Sequence, residues 1–398
     1  MTYPLLLAGN APHSATGYGQ QVAQLSRLLV ADGYDLTLAA NYGLQGASME
    51  WEGITVLPPG FDVWGNDTIG GHARTVFAGR RGWVLTLFDV WVAKGPSWRE
   101  MNVASWVPVD HLPTPPKVVE FFRTTDAVPI AMSTFGATQL AKSGLEPFYA
   151  PHGIDTDVFR QGVADIGGMP ARDALGVPAD AHVTLMVAAN KGQYPPRKAF
   201  PNALLGFAQF ARRHDDAVLV LHTERYGMAD GINLDRLIEA CGIPEDRVVF
   251  TDQYAYRMGL PPQAMAAIYN AADCLLAPSM GEGFGIPVVE AQACGLPVIV
   301  SDFSAQPELV GSGWLVDGVP FWDEAQAAWL HYPNPYTIAE TLEASYAGEG
   351  NPVAARRKAV EYDHRHVYET HWKPILAELG RRIRVPDVQI EPINVAAL

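Results

Sequence analysis

Short apolar runs alternate with segments of helical period along most of the chain, and this alternation narrows the possible folds more than any other feature. In the first half, "YPLLLAG" precedes the amphipathic segment "GQQVAQLSRLLVADG", and "DLTLAA" follows it. The second half repeats the plan with "VTLMVAA", the helical pattern "KAFPNALLGFAQFARRH" and "AVLVLHT". Strands that are apolar on both faces are typical of parallel sheets covered by helices on each side. The pattern therefore predicts an α/β fold in which a doubly wound sheet is built twice.

A stretch rich in Gly, Pro and Asp separates the two halves. It reads "RQGVADIGGMPARDALGVPAD" and covers residues 160–180. This composition predicts a linker with a short helix. The chain has 398 residues, which fits two domains of about 100–200 residues each. We expect a first domain over residues 1–165, a second over residues 166–364 and an extended tail over residues 386–398.

The composition excludes several classes of partner. A formal net charge of −15 argues against a surface that binds nucleic acids or anionic membranes, since both need basic patches. The three cysteines, Cys241, Cys274 and Cys294, lack metal-ligand or redox spacing, which favours buried free thiols. Apolar runs are shorter than the roughly 18 residues of a membrane span, and the opening "MTYPLLLAGNAPHS" lacks the basic start of a signal peptide. We expect a cytoplasmic protein with no integral membrane span and no nucleic-acid partner.

A glycine-rich segment at residues 278–301, "PSMGEGFGIPVVEAQACGLPVIVS", combines two glutamates with a predicted strand-to-helix turn. Its alternating glycines disfavour a helix ahead of Pro287, whose missing amide hydrogen suits the first helical position. The pattern "PVVEAQAC" predicts a helix that ends before Gly295. Glu282 therefore lies in the loop, and Glu290 lies about one turn inside the helix.

This turn suits a ligand that offers both anionic and hydroxyl groups. The amides of Gly283, Phe284 and Gly285 and the positive end of the helix attract an anion. The carboxylates of Glu282 and Glu290 accept hydrogen bonds from hydroxyl groups but repel a ligand that is phosphate alone. A nucleotide sugar offers ribose, diphosphate and sugar in sequence. Taken alone, the same residues are also explained by a plain glycine-rich turn with two solvated glutamates.

Three further segments supply candidate site residues. The glycines of "TGYGQ" open the first long helix and let backbone approach a ligand, and the pair in "VPVDH" follows a buried strand. The loop "KGQYPPRK" is the most basic in the second half and suits a diphosphate. An ordinary helix start, a loop histidine beside an aspartate and a solvated turn are the structural alternatives. The candidates are Gly17, Gly19, Asp110, His111, Lys191, Arg197 and Lys198.

The motif "PS-x-x-EGFG-x-x-x-x-EA-x-A-x-G-x-PV" resembles the E-x7-E signature of the retaining glycosyltransferases of family 4, which have the GT-B fold. Other segments match that family in order along nearly the whole chain, among them "TGYGQQVAQLSRLLVADGYDLTL", "VPVDHLPTPP", "APHGIDTDVF" and "NKGQYPPRKAF". The resemblance implies two Rossmann-like domains that face a central cleft. It implies an N-terminal domain that binds the acceptor and final helices, at about residues 365–385, that cross back to it.

The resemblance also implies an activity, the transfer of a sugar from a nucleotide donor with retention at the anomeric carbon. In such enzymes the residue at Glu290 holds the ribose hydroxyls, and the residue at Glu282 faces the donor sugar. The amides of Phe284 and Gly285 contact sugar hydroxyls or phosphate. An acid or a histidine at the position of Asp110 or His111 lies near the donor sugar and the acceptor.

In this family a basic loop neutralises the diphosphate without a metal. The resemblance implies that Lys198 neutralises the diphosphate together with a second cation. The family's usual arginine is missing at its expected place, so the second cation is either Arg197 or Lys191. We therefore expect no metal and no cofactor besides the nucleotide sugar. The alternatives are a GT-B nucleotide-sugar epimerase or phosphorylase, and a non-catalytic protein that binds nucleotide sugars or glycans. The sequence leaves open the donor base and sugar, the acceptor (glycan, small molecule, lipid or protein) and the oligomeric state.

Overall fold

The computed structural model describes residues 2–192, 196–228 and 230–383, so the predicted tail over residues 386–398 lies outside the described residues. The strands are β1 (Leu5–Asn10), β2 (Leu36–Tyr42), β3 (Met49–Trp51), β4 (Ile54–Leu57), β5 (Trp83–Leu87), β6 (Val103–Val107), β7 (Val128–Ala131), β8 (Phe148–Tyr149), β9 (Asp165–Ile166), β10 (Met169–Pro170), β11 (His182–Val187), β12 (Ala217–His222), β13 (Val248–Phe250), β14 (Cys274–Ala277), β15 (Val298–Ser301), β16 (Gly313–Val316), β17 (Gly318–Asp323) and β18 (Ala328–Pro333).

The helices lie between these strands and after the last of them. They are α1 (Gly17–Ala31), α2 (Ile69–Phe77), α3 (Ser97–Glu100), α4 (Pro116–Thr125), α5 (Thr134–Lys142), α6 (Ala171–Leu175), α7 (Phe200–Ala211), α8 (Leu234–Cys241), α9 (Gln253–Met258), α10 (Pro262–Ala271), α11 (Ile286–Ala293), α12 (Pro335–Tyr346), α13 (Pro352–Val360), α14 (His364–Val367) and α15 (Lys373–Arg382), with a π-helical turn at Tyr368–Trp372. Within the described part of the chain, no helix is both long enough and apolar enough to cross a membrane.

The chain divides into two compact units. Within the described residues, unit 1 comprises residues 2–109, 114–153 and 364–383, and unit 2 comprises residues 110–113, 154–192, 196–228 and 230–363. Each unit is therefore discontinuous in sequence. A short segment from the first half of the chain folds with unit 2, and the last helices fold with unit 1.

Unit 2 resumes at Ile154, ahead of the boundary that the sequence predicts at residue 165. The N–H of Ile154 donates to the carbonyl oxygen of Tyr362 (2.9 Å), and the N–H of Gly162 donates to Oδ1 of Asn270 (3.0 Å). These bonds fix Ile154 and the start of the Gly- and Pro-rich stretch to unit 2. That stretch is therefore not a free linker, because it folds within unit 2 as β9, β10 and α6.

The C-terminal helices pack on unit 1. Oη of Tyr3 donates to the carbonyl oxygen of Leu376 (2.7 Å), and Nε1 of Trp83 donates to that of Leu379 (2.9 Å). Both acceptors belong to α15. The aromatic side chains thus satisfy their polar atoms on the helix that covers them.

The described residues of unit 1 form an eight-stranded sheet in the order β3-β4-β2-β1-β5-β6-β7-β8. All neighbouring pairs are parallel except β3 with β4. Strand order reverses between β1 and β5, so the connections that follow these two strands leave in opposite directions. Such a switch point opens a crevice at the carboxyl ends of the strands.

Unit 2 repeats this plan with a six-stranded parallel sheet in the order β13-β12-β11-β14-β15-β16. Here the strand order reverses between β11 and β14, where Thr184 pairs with Cys274 and Leu185 with Leu275. The predicted α/β class, with one doubly wound sheet in each unit, is confirmed. An antiparallel hairpin of β17 and β18 lies outside the parallel sheet.

The packing of α7 against α12 in unit 2 depends on the absence of a side chain at Gly206. A Cβ atom on Gly206 would collide with the side chain of Ile338 on α12 and would lie 2.9 Å from the carbonyl oxygen of Pro335. Both Ile338 and its neighbour in the core, Phe207, are fully buried. The two helices approach this closely because position 206 has no side chain.

Gly206→Ala and Gly71→Ala should therefore change stability in opposite directions. Overpacking at Gly206 should lower the free energy of unfolding by about 1–3 kcal/mol. A Cβ atom on Gly71 in α2 would meet no atom within 4 Å, so the lower backbone entropy of the unfolded chain should stabilise that variant by about 0.5–1 kcal/mol. Urea unfolding measures both values, and equal effects of the two substitutions would contradict the α7–α12 packing.

Candidate functional site

The loop between β14 and α11 carries the two glutamates of the glycine-rich segment. Gly285 precedes α11 with φ at +124°, a backbone conformation that favours glycine. Pro287 is the second residue of α11, one position later than predicted, because Ile286 opens the helix. Glu282 lies in the loop and Glu290 lies inside α11, as the sequence predicts.

Glu282 is the centre of an ion-pair cluster at the switch point of unit 2. Nζ of Lys198 donates to Oε1 of Glu282, and Nη1 of Arg197 donates to Oε2 at 3.1 Å. Arg197 also donates to the carbonyl oxygen of Gly281 (2.7 Å). The two cations follow β11, and Glu282 follows β14, so the adjacency of these strands brings the charges together. We call Glu282, Lys198 and Arg197 the Glu282 cluster.

Opposing effects set the protonation of this cluster. Burial raises the pKa of Glu282, but the positive charges of Lys198 and Arg197 outweigh it and lower the pKa to about 2. Burial lowers the pKa of Lys198, although the charge of Glu282 acts in the other direction. Glu282 is therefore ionised at neutral pH, and the protein itself supplies the positive charge that balances it.

His111 lies between two carboxylates of unit 2. Its Nδ1 is 2.6 Å from Oδ1 of Asp110, and its Nε2 is 3.1 Å from Oδ2 of Asp323 at the end of β17. Burial lowers the pKa of His111, but the bonds and charges of Asp110 and Asp323 outweigh it and raise the pKa. Burial raises the pKa of Asp110, but the bond and charge of His111 hold it well below its usual range. A protonated ring donates to both carboxylates at once.

This geometry separates the roles of the two residues predicted from "VPVDH". The side chain of His111 is 6% exposed, and both of its ring nitrogens face a carboxylate, so neither is directed at a substrate hydroxyl. Asp110 is partly exposed, and its Oδ2 lies 3.7 Å from Nη1 of Arg197. Asp110 therefore contacts the Glu282 cluster, and His111 positions Asp110.

The sequence did not predict the contacts that hold residues 110–113 in place. The N–H of Leu112 donates to the carbonyl oxygen of Trp329 on β18 (2.9 Å), and the N–H of Trp329 donates back to Leu112 (2.8 Å). A Cβ atom on Gly281 would collide with the carbonyl oxygen of Asp110. Together with Asp323, these contacts fix Asp110 beside the loop that carries Glu282.

Glu290 has a different environment from Glu282. It is buried, and Oη of Tyr269 on α10 donates to its Oε2 (2.8 Å). Burial raises the pKa of Glu290 to about 7, although the bond from Tyr269 acts in the other direction. Glu290 therefore keeps its proton to a higher pH than Glu282 does. Its predicted contact with ribose hydroxyls stays a prediction.

The predicted anion-binding amides lie at the start of α11. Phe284 is buried, and its ring packs edge-on against Tyr362 with the centroids 5.5 Å apart. This contact anchors the loop by a side chain, which fixes the backbone of Gly283, Phe284 and Gly285 beside the amino end of the helix. Binding of an anion by these amides stays a prediction.

The other predicted residues lie outside the Glu282 cluster. Gly17 and Gly19 belong to unit 1, at the start of α1, where Oγ1 of Thr16 accepts the N–H of Gly19 (3.0 Å). A Cβ atom on Gly19 would lie 2.5 Å from the carbonyl oxygen of Ser14, so local packing explains this glycine without a ligand. Lys191 is exposed in the loop after β11.

The spacing of the His, Cys, Asp and Glu side chains bears on metal binding. Within residues 2–192, 196–228 and 230–383, no group of three or more His, Cys, Asp or Glu side chains is placed to hold a metal ion. In the "DTD" sequence, Oδ1 of Asp155 accepts the N–H of Asp157 (3.0 Å), so this carboxylate closes a turn. The three cysteines are buried free thiols, as predicted.

Solved structures define the class of this fold. Sucrose-phosphate synthase from Thermosynechococcus elongatus aligns over 95% of this chain and 98% of its own, with a TM-score of 0.70 and 18% identity. The Anabaena protein HepE in complex with UDP-glucose aligns over 94% and 99%, with a TM-score of 0.65 and 15% identity. At such identities the likeness concerns the fold alone. The predicted GT-B fold is confirmed.

Part of the sequence of unit 2 matches a family model. Residues 184–330 match the family model described as glycosyl transferases group 1. D-inositol 3-phosphate glycosyltransferase of Mycolicibacterium smegmatis is 35% identical over 217 residues, which is 53% of this chain but only 42% of that protein. The chain thus spans less than half the length of the curated relatives that it matches. This match over residues 184–330 agrees with the resemblance found in the sequence.

Asp323→Asn tests the charge on His111. Because the fold raises the pKa of His111, its stabilisation is present below the unfolded value of 6.5 and is lost as the pH rises through the folded value. The variant should lose about 1–3 kcal/mol of unfolding free energy in mildly acidic solution, and this loss should shrink at alkaline pH. Urea unfolding across pH measures it, with the exposed Asp215→Asn as a near-neutral control. A loss that is independent of pH would contradict a charged His111.

Glu290→Gln tests the raised pKa of Glu290. The contribution of Glu290 to stability should be greatest below the ordinary value of 4.5 and should fall as the pH rises to the folded value of about 7, because the unfolded chain releases its proton first. Glutamine can still accept the bond from Tyr269. The variant should therefore gain about 3 kcal/mol relative to wild type between acidic and mildly alkaline pH. Thermal unfolding across pH measures the difference, and parallel curves would exclude the raised pKa.

Proposed function

We propose that this protein transfers a sugar from a nucleoside diphosphate donor to a hydroxyl acceptor, with retention of the anomeric configuration. The observation that carries the proposal is the Glu282 cluster, in which Lys198 and Arg197 converge on an ionised carboxylate at the switch point of unit 2. Ligands of doubly wound sheets bind at such switch points. The loop that carries Glu282 leads into the positive end of α11.

The chemistry of the donor explains the charges. Negative charge develops on the leaving diphosphate as the glycosidic bond breaks, and fixed cations stabilise it. Lys198 and Arg197 are placed to provide this stabilisation without a metal ion, since a phosphate accepts bidentate bonds from arginine as a carboxylate does. The diphosphate then replaces Glu282 as the partner of the two cations. Glu282, released from one or both, faces the donor sugar.

The neighbouring residues take supporting roles in this proposal. Asp110 contacts the cluster directly, so it is favoured over His111 as the residue that acts near the donor sugar. Arg197 is favoured over Lys191 as the replacement for the family's arginine, because its guanidinium bonds Glu282. Glu290 exchanges its bond with Tyr269 for the ribose hydroxyls of the donor.

The comparisons support the donor class and leave the particular donor open. HepE binds UDP-glucose in its crystal structure, and the mycobacterial relatives are named as glycosyltransferases of D-inositol 3-phosphate. This chain covers less than half of the length of those relatives. Their names therefore do not assign its donor and acceptor, which the experiments below are designed to identify. A cytoplasmic location, where nucleotide sugars are made, fits the proposal and stays a prediction. The oligomeric state stays open.

A thermal-shift panel of UDP-, GDP-, ADP- and dTDP-sugars tests the donor site. A donor at about 100 times its Kd should stabilise the protein by roughly 2.7 kcal/mol. Lys198→Ala should abolish this shift, because the diphosphate loses its buried cation, whereas the control Lys191→Ala should keep most of it. Failure of all four nucleotides to shift the melting temperature would contradict the donor site.

Glu282→Gln separates catalysis from binding. The variant should keep the thermal shift. It should lose both sugar transfer and the slow hydrolysis of the donor, because a neutral amide replaces the carboxylate that faces the sugar. Product analysis by NMR of the anomeric proton measures retention. Conversion of the donor sugar without any acceptor would indicate an epimerase, and binding without turnover by wild type would indicate a non-catalytic protein.

A further inference from the structure

Three apolar side chains form an exposed row on the β17–β18 hairpin of unit 2. Trp322 of β17 pairs with Trp329 of β18, and Trp329 also pairs with Leu112 on its other side. Residues directly opposite each other on antiparallel strands point to the same face. Trp322 and Trp329 are each 42% exposed, and Leu112 is 40% exposed. We call Trp322, Trp329 and Leu112 the hairpin row.

The opposite face of the hairpin packs on the core of unit 2. Ala328 and Leu330 of β18 are buried, and Leu330 packs in one cluster with Met280. The N–H of His331 donates to the carbonyl oxygen of Met280 (2.9 Å), which lies two residues before Glu282. The hairpin is thus fixed beside the loop that carries Glu282. Core packing uses the buried face, so it does not explain the two tryptophans on the exposed one, and grouped exposed apolar side chains favour a binding role.

The two indole rings of the hairpin row have a defined arrangement. Their centroids lie 5.0 Å apart, and the ring planes make an angle of 65°, which is an edge-to-face contact. Nε1–H of Trp322 donates to Oε2 of the exposed Glu324 (2.7 Å). This bond to a carboxylate increases the electron density of the indole, and an electron-rich ring face attracts a cation more strongly. The row therefore combines ordered aromatic faces with a carboxylate at one end.

The charges around the hairpin row match a cationic ligand. Residues 318–333 and 110–113 contain Asp110, Asp323 and Glu324 but no lysine or arginine. His111 lies between Asp110 and Asp323, so these two carboxylates face a ring that can carry a positive charge. Glu324 instead bonds an uncharged indole N–H. An ammonium group at this place gains attraction from the ring faces and from Glu324, whereas a phosphate is repelled.

The size of the hairpin row fits a small molecule. A stable protein interface buries about 800 Å² on each partner. A tryptophan covers at most about 250 Å² when it is fully buried, and the three side chains of the row are only 40–42% exposed. Complete coverage of the row would therefore bury well under half of the area that a protein partner needs. One or two sugar-sized rings are enough to cover it.

The hairpin row lies close to the Glu282 cluster within unit 2. Asp110 is two residues before Leu112, and its Oδ2 lies 3.7 Å from Nη1 of Arg197. The N–H of Leu112 donates to Trp329 (2.9 Å), and the N–H of Trp329 donates back (2.8 Å), so this segment and the row form one structure. The small molecule that a transferase holds beside its donor is the acceptor.

We propose that the hairpin row and Glu324 bind the acceptor, and that this acceptor is an amino sugar. The apolar face of its ring stacks on Trp322 or Trp329, and its ammonium group lies between an indole face and the carboxylate of Glu324. This inference rests on the proposed function. In the transfer, the bond from the anomeric carbon to the donor diphosphate breaks and a bond to an acceptor hydroxyl oxygen forms. The leaving diphosphate takes the hydroxyl proton, and the ammonium group is unchanged.

Matched acceptors test the role of the ammonium group. With a donor that gives a thermal shift, initial rates are measured at neutral pH for the methyl glycosides of glucosamine and galactosamine. The corresponding glucosides, galactosides and N-acetylated amino sugars are the uncharged controls. The amines should have a kcat/KM at least about tenfold higher than the controls, because only they carry the charge that the rings and Glu324 attract.

Variants of the hairpin row assign this preference to its side chains. Glu324→Gln should raise the KM about tenfold for the amines alone, and Trp322→Ala should raise it about tenfold for all acceptors. Trp322→Phe keeps an aromatic face and should restore most of the loss. Donor binding should be unchanged in all three. The controls Glu349→Gln and Tyr336→Ala, which alter exposed side chains of unit 2, should leave every KM unchanged.

Saturation-transfer NMR with methyl glucosaminide measures binding without a donor and separates the two proposals. Signals that need Trp322 in a protein that binds no nucleotide sugar would count against the proposed function alone. In a protein that binds its donor, three results would overturn the amino-sugar acceptor. They are equal transfer to amines and uncharged glycosides, a preference for amines that Glu324→Gln does not change, and amine binding through Trp322 without transfer to any amine.

Discussion

The pairing of Glu282 with Lys198 and Arg197 is the interaction on which the site in unit 2 depends. A largely buried carboxylate stays ionised only because two cations lie against it, and removal of either cation leaves the remaining charges poorly compensated. The three residues meet because β11 and β14 are neighbours in the sheet although β12 and β13 lie between them in sequence. The doubly wound topology therefore produces the charge cluster.

The loop before α11 and the helix itself carry two glutamates whose pKa values are shifted in opposite directions. Cations lower the pKa of Glu282 to about 2, and burial raises the pKa of Glu290 to about 7. Two ionised carboxylates would repel a diphosphate, so this difference in pKa lowers the negative charge at the proposed donor site. The segment with Asp110 adds a third carboxylate, whose charge is balanced by His111 and Arg197.

The sequence predicted the fold class and the loop position of Glu282 ahead of α11, because both depend on local patterns. Continuous apolar runs mark the central strands, and glycines and Pro287 mark the turn into α11. The roles within the site depend on long-range contacts. Asp323 stands in an antiparallel hairpin with no chemical motif of its own, so its bond to His111, at a separation of 212 residues, left no signal. The unit boundary at Ile154 likewise depends on pairing with Tyr362.

In the proposed function, a donor diphosphate replaces Glu282 as the partner of Lys198 and Arg197. A crystal structure with a bound nucleotide sugar tests this most directly. We expect the diphosphate oxygens within hydrogen-bond distance of Nζ of Lys198 and of the guanidinium of Arg197. A nucleotide bound elsewhere, with both ion pairs of Glu282 intact, would contradict the claim.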